Sequence, residues 1–278
     1  MASTTNSPTI DPDDPLVKRR PTVNPYFQAA ELLYRRILWD LHPESWRSRS
    51  KLHAWRDRFS NQKAVILCNG PSLLKSDLSL LDGVFCFGLN KINLLFERSP
   101  FRPHCVVAVN PFVIEQNAEF YNGTSLPLFL DSCGLTRRLV KPRENIAFLH
   151  RGSGRFARDC SMSVDQGYTV TYVAMQLAFH MGFRKLALIG ADHDFAVKGA
   201  AANKIVDSGD TDESHFDPRY FAGGVKWELP DLFESEVSYM RAKKTFEAFG
   251  GRIINATEGG RLEVFERQCL ENFVKMPD

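Results

Sequence analysis

No apolar run in the sequence approaches the roughly 20 residues that cross a bilayer, which argues against a helical membrane span. The first fourteen residues are polar and proline-bearing, without the apolar core of a secretory signal. The chain is therefore expected in the cytoplasm, where the Asn122 and Asn255 sequons carry no sugar. Six cysteines occur without any CxxC spacing, so zinc-ribbon and dithiol readings drop out, and the cysteines are expected reduced and mostly buried. Charge of neither sign is in large excess: the net charge is +2, so nothing demands a nucleic-acid partner. Neither a Walker A loop nor GxGxxG is present, and there is no internal repeat.

What is present reads as a soluble α/β enzyme. The 278 residues, 44% hydrophobic and 24% charged, suit one large domain with an appendage. Residues 1–25 read as a disordered tail rich in Ser, Thr, Pro and Asp. Residues 26–62 read as a helical extension. Its basic stretch at 46–58, which carries Trp46 and Trp55, suits either a solvated helix packed on the domain or peripheral contact with the inner face of a membrane. From residue 63 short apolar runs at 64–68, 84–88, 105–109 and 185–189 read as strands buried on both faces, with weaker ones at 126–130, 146–149 and 252–256. Helices are expected over 73–81 with Ser72 as N-cap, over 170–181, and over 232–249 with Asp231 and Glu234 as a capping box. Alternation of strand and helix predicts a Rossmann-like, mostly parallel sheet flanked by helices, with a mobile loop at about 196–230.

Ligands of such sheets bind beyond the carboxyl ends of the strands, so the residues after each strand are the candidates. Asn69-Gly70-Pro71-Ser72 is suited to phosphate: Gly70 permits close backbone approach, and Ser72 opens a helix whose free N–H groups attract anions. An ordinary strand-to-helix turn is the competing reading. Asn90 and Asn110 offer amides to a base, ribose or sugar, or serve as turn residues. Asp192 and Asp194 flank His193 and suit magnesium, a ribose or a loop. His215 has the chemistry of a general base for an acceptor hydroxyl, or of a structural histidine.

The ordered set of motifs resembles a bacterial family that groups MptE-like 6-hydroxymethylpterin diphosphokinases with motility accessory proteins, and is similar to the bacterial lipooligosaccharide sialyltransferases. Its carriers are VILCNGPSL at 65–73, GLN at 88–90, Asn110 and Pro111 with Glu115 and Gln116, TVTYVAMQLA at 169–178, GFRKLALIGAD at 182–192, Ser214-His215-Phe216, and Asn255 to Thr257 with Gly259 and Gly260. The sialyltransferase likeness implies donor phosphate and ribose contacts at Asn69, Gly70, Pro71 and Ser72, and donor contacts at Asn90. It further implies carboxylate or sugar contacts at Thr169 or Thr171, and a cytidine pocket bordered by Gly190 and Asp192. Two departures stand out. No tyrosine follows the Gly190-Ala191-Asp192 element, and no second histidine follows Ser214-His215-Phe216, so the resemblance leaves phosphate contacts to Arg219 and Tyr220.

Three functions follow as expectations. The first is a glycosyltransferase of surface-polysaccharide or glycoconjugate assembly, with a CMP-activated donor, a glycan or glycolipid acceptor, His215 as base and no metal cofactor. The second is a magnesium-dependent diphosphokinase with Asp192 and Asp194 as ligands. The third is a non-catalytic nucleotide- or carbohydrate-binding accessory protein. A homo-oligomer is expected from the related transferases.

Overall fold

The computed structural model describes residues 24–152, 154–194 and 205–277; residues 1–23 of the tail expected over 1–25 and the first part of the expected mobile loop lie outside them. Residues up to Leu38 form one unit and Trp39 onward another. In the first, helix α1 (Pro25–Leu41) begins. Asn24 Oδ1 accepts from the Tyr26 N–H at 3.0 Å, and Pro25 stands in the first turn, where its missing N–H costs nothing.

In the second unit, α2 (Pro43–Trp55) restarts the helical pattern after a break at His42, whose Nδ1 accepts from the Glu44 N–H at 3.1 Å. The sheet strands are β1 (Lys63–Leu67), β2 (Phe85–Leu89), β3 (Cys105–Ala108), β4 (Leu128–Asp131), β5 (Ile146–Leu149) and β6 (Lys185–Ile189). A small antiparallel hairpin follows, β7 (Ile205–Asp207) with β8 (Lys226–Glu228), and then β9 (Arg252–Asn255) and β10 (Glu266–Arg267) complete the main sheet. Its order is β10-β9-β6-β1-β2-β3-β4-β5, with every neighbouring pair parallel. The chain lays strands outward from β1 to β5 and then crosses back to start β6 on the other flank of β1. The strand order therefore reverses between β1 and β6, the switch point at which sheets of this kind carry their ligand crevice.

Alternate side chains feed two cores. Ala64, Ile66 and Cys68 face one layer with Phe85 and Phe87, while Val65 and Leu67 face the other with Cys86. The crossover helix lies in the first layer. Short helices α3 (Pro111–Gln116), α4 (Ala118–Gly123) and α5 (Cys133–Thr136) precede it in the chain. The crossover itself is α6 (Val170–His180), and it is followed by α7 (Leu232–Ala248) and α8 (Leu270–Lys275). Rather than showing one apolar face, α6 is buried all round from Thr171 to His180. Two of its buried polar residues are tied to the surrounding chain: Gln176 Oε1 accepts from Ala157 N–H (2.9 Å) and Asp165 N–H (3.0 Å), and His180 Nε2 meets the Leu52 carbonyl at 2.9 Å.

Three expectations are refined. Residues 71–81 form two 3₁₀ turns, Pro71–Lys75 and Leu78–Leu81, because Asp77 caps the second through Ser79 N–H (3.0 Å) and splits the run. The basic segment 46–58, expected either packed on the domain or at a membrane, packs one side on the domain. Ser48 Oγ accepts from Phe148 N–H of the edge strand β5 at 2.9 Å, and Lys51 Nζ donates to the Arg143 and Ile146 carbonyls at 2.8 and 3.0 Å. Trp55 packs on Phe85 and Phe129. Finally, residues 208–230 are a packed cap, with Phe216, Tyr220, Phe221 and Trp227 buried in the second core layer. Among the described residues no helix is long and apolar enough to cross a membrane.

Candidate functional site

At the β1/β6 crevice the two strands stay laced past their ends: Cys68 N–H donates to Ile189 O and Gly70 N–H to Gly190 O, both at 2.9 Å. The glycines admit close approach by other parts of the chain. A Cβ on Gly190, whose φ is +68°, would meet Cys68 O at 2.7 Å, and one on Gly70 would collide with the Asp192 carboxylate. Asp192 Oδ2 accepts from the Ser72 hydroxyl at 2.7 Å and from the Ser72 N–H at 3.2 Å. The anion that the Ser72 turn attracts is thus the protein's own carboxylate. Gly260 (φ +72°) closes over Asp192 from the β9 side, and Arg261 N–H donates to Asp192 O at 2.7 Å.

Asp194 turns away from Asp192 to the Arg261 guanidinium at 3.3 Å, and His193 Nε2 pairs with Glu236 Oε1 at 2.9 Å. Among the described residues no three His, Cys, Asp or Glu side chains are placed to hold a metal ion. The carboxylate pair expected to bind magnesium does not fit it, since one member is committed to Ser72 and the other to Arg261.

On the β2 flank the polar groups are left open. Asn90 sits in the left-handed region (φ +49°), its N–H on Val107 O at 2.8 Å and its carbonyl accepting from the Tyr121 hydroxyl at 2.9 Å. Its Oδ1 is buried and takes no hydrogen bond; the same holds for Asn69 Oδ1 and the Tyr220 hydroxyl, which faces the Asn90 amide without closing a bond. Buried polar atoms without partners are rare and costly, and each calls for an explanation such as an ordered water, an ion or a ligand.

The cap brings His215 to this edge. Phe216 N–H donates to Asn69 O at 2.9 Å, which fixes the neighbouring histidine. His215 Nδ1 meets Asp212 Oδ2 at 2.7 Å, and its ring stacks on Tyr220 at 4.0 Å and 1°. Burial would raise the Asp212 carboxyl, but its bonds to His215 and Ser214 N–H hold it below the usual carboxylate value. Asn69, Asn90, His215 and Tyr220 therefore meet, and Gly70, Gly190 and Asp192 form the adjoining wall.

The other expected site residues do different work. Asn110 Oδ1 caps α3 through Phe112 N–H at 2.9 Å. Arg219 lies on the surface, tied to Asp217 at 3.0 Å and Glu97 at 2.8 Å, so its guanidinium does not turn to the crevice. Thr169 caps α6 and reaches the Tyr239 hydroxyl at 3.3 Å. Thr171 is buried behind β1 against the Cys68 thiol at 3.6 Å; burial pushes that thiol up to about 12, so it is inert. Pro71 opens the first 3₁₀ turn.

Two residues of the site escaped the sequence reading, Asp212 and Lys91. The Asp212–His215 spacing of three was a signal available to it. Lys91 offered none beyond following Asn90, because a lysine's burial is decided by distant packing.

No curated protein matches the chain. The solved structure of MAf glycosyltransferase from Magnetospirillum magneticum AMB-1 is similar to it at 16% identity with a TM-score of 0.49, covering 82% of this chain. The chain spans only 38% of that protein's length. A family model described as 6-hydroxymethylpterin diphosphokinase MptE-like matches residues 44–198, more than half of the sequence and the stretch from α2 through β6 that builds the crevice. By this match the chain belongs to the MptE-like family.

Proposed function

We propose that the protein is a transferase that binds a nucleotide-activated sugar at the β1/β6 crevice and passes the sugar to a hydroxyl of a glycan or glycolipid. The carrying observation is the Asp212–His215 pair set beside the unpaired, buried Asn69 and Asn90 oxygens. With the Nδ1 proton held by Asp212, Nε2 is the basic nitrogen. It takes the acceptor's proton as that oxygen bonds to the anomeric carbon, and the carbon–phosphate-oxygen bond breaks with its electron pair on the leaving phosphate. The sequence resemblance makes CMP-activated sugars the first donors to try.

The family description favours a second reading, diphosphate transfer from ATP to a pterin alcohol. A thermal-shift screen of CMP-, UDP- and GDP-sugars and of ATP, with and without magnesium, separates the two, since a ligand of the folded state raises the melting temperature. A shift with a nucleotide-sugar in the absence of magnesium supports sugar transfer. Response to ATP with magnesium alone overturns it. His215→Ala is then expected to lower turnover about 10²- to 10⁴-fold with donor binding retained; unchanged turnover removes His215 from the chemistry.

A further inference from the structure

Lys91 follows Asn90 at the end of β2, and only 7% of it is exposed. Its ammonium donates to Gln116 Oε1 at 2.8 Å and to the Tyr220 carbonyl, and it lies over the Tyr220 and Phe221 rings at 5.4 and 4.9 Å. All four partners are neutral. Among the described residues no carboxylate comes within salt-bridge distance of Nζ: Asp212, the carboxylate whose charge reaches it, is bonded to His215. An ammonium has three N–H donors, and two are used here.

A buried cation with only neutral partners is expensive, and methionine would fill the same space without that penalty. The neighbouring oxygens of Asn69, Asn90 and Tyr220 are also buried and unpaired. The arrangement is complementary to one kind of molecule, with a negative charge for the ammonium and hydroxyl or amino hydrogens for the two amide oxygens. The Ser72 turn cannot supply the charge contact while Asp192 occupies its donors.

We propose that Lys91 is the phosphate-binding residue of the site, with Asn69 and Asn90 reading hydroxyl or amino groups of the same nucleotide. The proposal rests on the nucleotide-donor reading above and moves the phosphate from the Ser72 turn to the end of β2.

Calorimetric titration of the full chain with CMP, AMP, cytidine and adenosine tests it in wild type, Lys91→Gln and Lys91→Arg. Loss of one charge-assisted contact should weaken the nucleotide that binds by about 10- to 100-fold in Lys91→Gln. The matching nucleoside, which lacks the phosphate, should bind both proteins alike, and Lys91→Arg should retain most nucleotide affinity. Equal losses for nucleotide and nucleoside, or no loss for either, overturn the proposal. If wild type binds no nucleotide, the donor reading fails, and pyrophosphate then tests Lys91 separately. Pyrophosphate binding that Lys91→Gln abolishes and Lys91→Arg keeps upholds the anion site; pyrophosphate binding to neither protein sinks it.

Discussion

Gly70 and Lys91 show how differently single residues shape this site. A methyl on Gly70 meets both the Asp192 carboxylate and, at 2.7 Å, the Gly190 carbonyl, so Gly70→Ala is expected to cost about 1–3 kcal/mol in urea unfolding. Gly123→Ala, whose added carbon meets nothing within 4 Å at an exposed helical position, should instead gain up to about 1 kcal/mol in the same experiment. At Lys91 the signature is in pH. Burial lowers its ammonium from an ordinary 10.5 to about 8, against the opposing charge of Asp212. Below 8 both folded and unfolded chains carry the proton and the folded state bears the full penalty. Between 8 and 10.5 only the unfolded chain keeps the proton, so stability rises with pH. Wild type should therefore gain on the order of 2–3 kcal/mol over Lys91→Met across that window, read from paired denaturation curves; a flat difference would mean the ammonium is solvated. Neither residue's environment was legible from its neighbours. Gly70 reads as a place where backbone comes close to a ligand, whereas the group that comes close in the fold is the Asp192 carboxylate, 122 residues onward in the chain (192 − 70).

At the scale of elements, α2 is an edge cover. Edge strands leave a row of unpaired backbone groups, and Ser48 closes one of them on β5. Ser48→Ala leaves Phe148 N–H buried without an acceptor. It should cost about 1–3 kcal/mol and speed amide exchange at Phe148 above all; unchanged exchange there would show that another group closes the edge. The strands were readable because burial on both faces leaves continuous apolar runs: 185–189 and 146–149 match residue for residue. The turn at 71–81 was not, since apolar spacing is shared by α and 3₁₀ forms and the deciding cap, Asp77, reads as an ordinary surface carboxylate. The cap over 208–230 was missed for a related reason. Its aromatic residues follow no period of two or 3.6, and their burial comes from the sheet edge they cover.

For the molecule as a whole, the reversal of strand order between β1 and β6 concentrates the site on one stretch of the sheet rim. Donor binding should slow amide exchange at 69–72, 90–91, 190–192 and 212–220 and leave β5 unchanged. Protection confined to the β4 and β5 ends would relocate the site. The Rossmann-like class and the rim were visible in the order of motifs; which rim residues face one another was not, because that follows from the register of β1 with β2 and β6. One backbone bond, Phe216 N–H to Asn69 O, also has a corollary. It ties the loop that begins at Asn69 to the residue next to His215. If the proposed site is right, displacement of that loop by a ligand should also move His215, one peptide unit from Phe216.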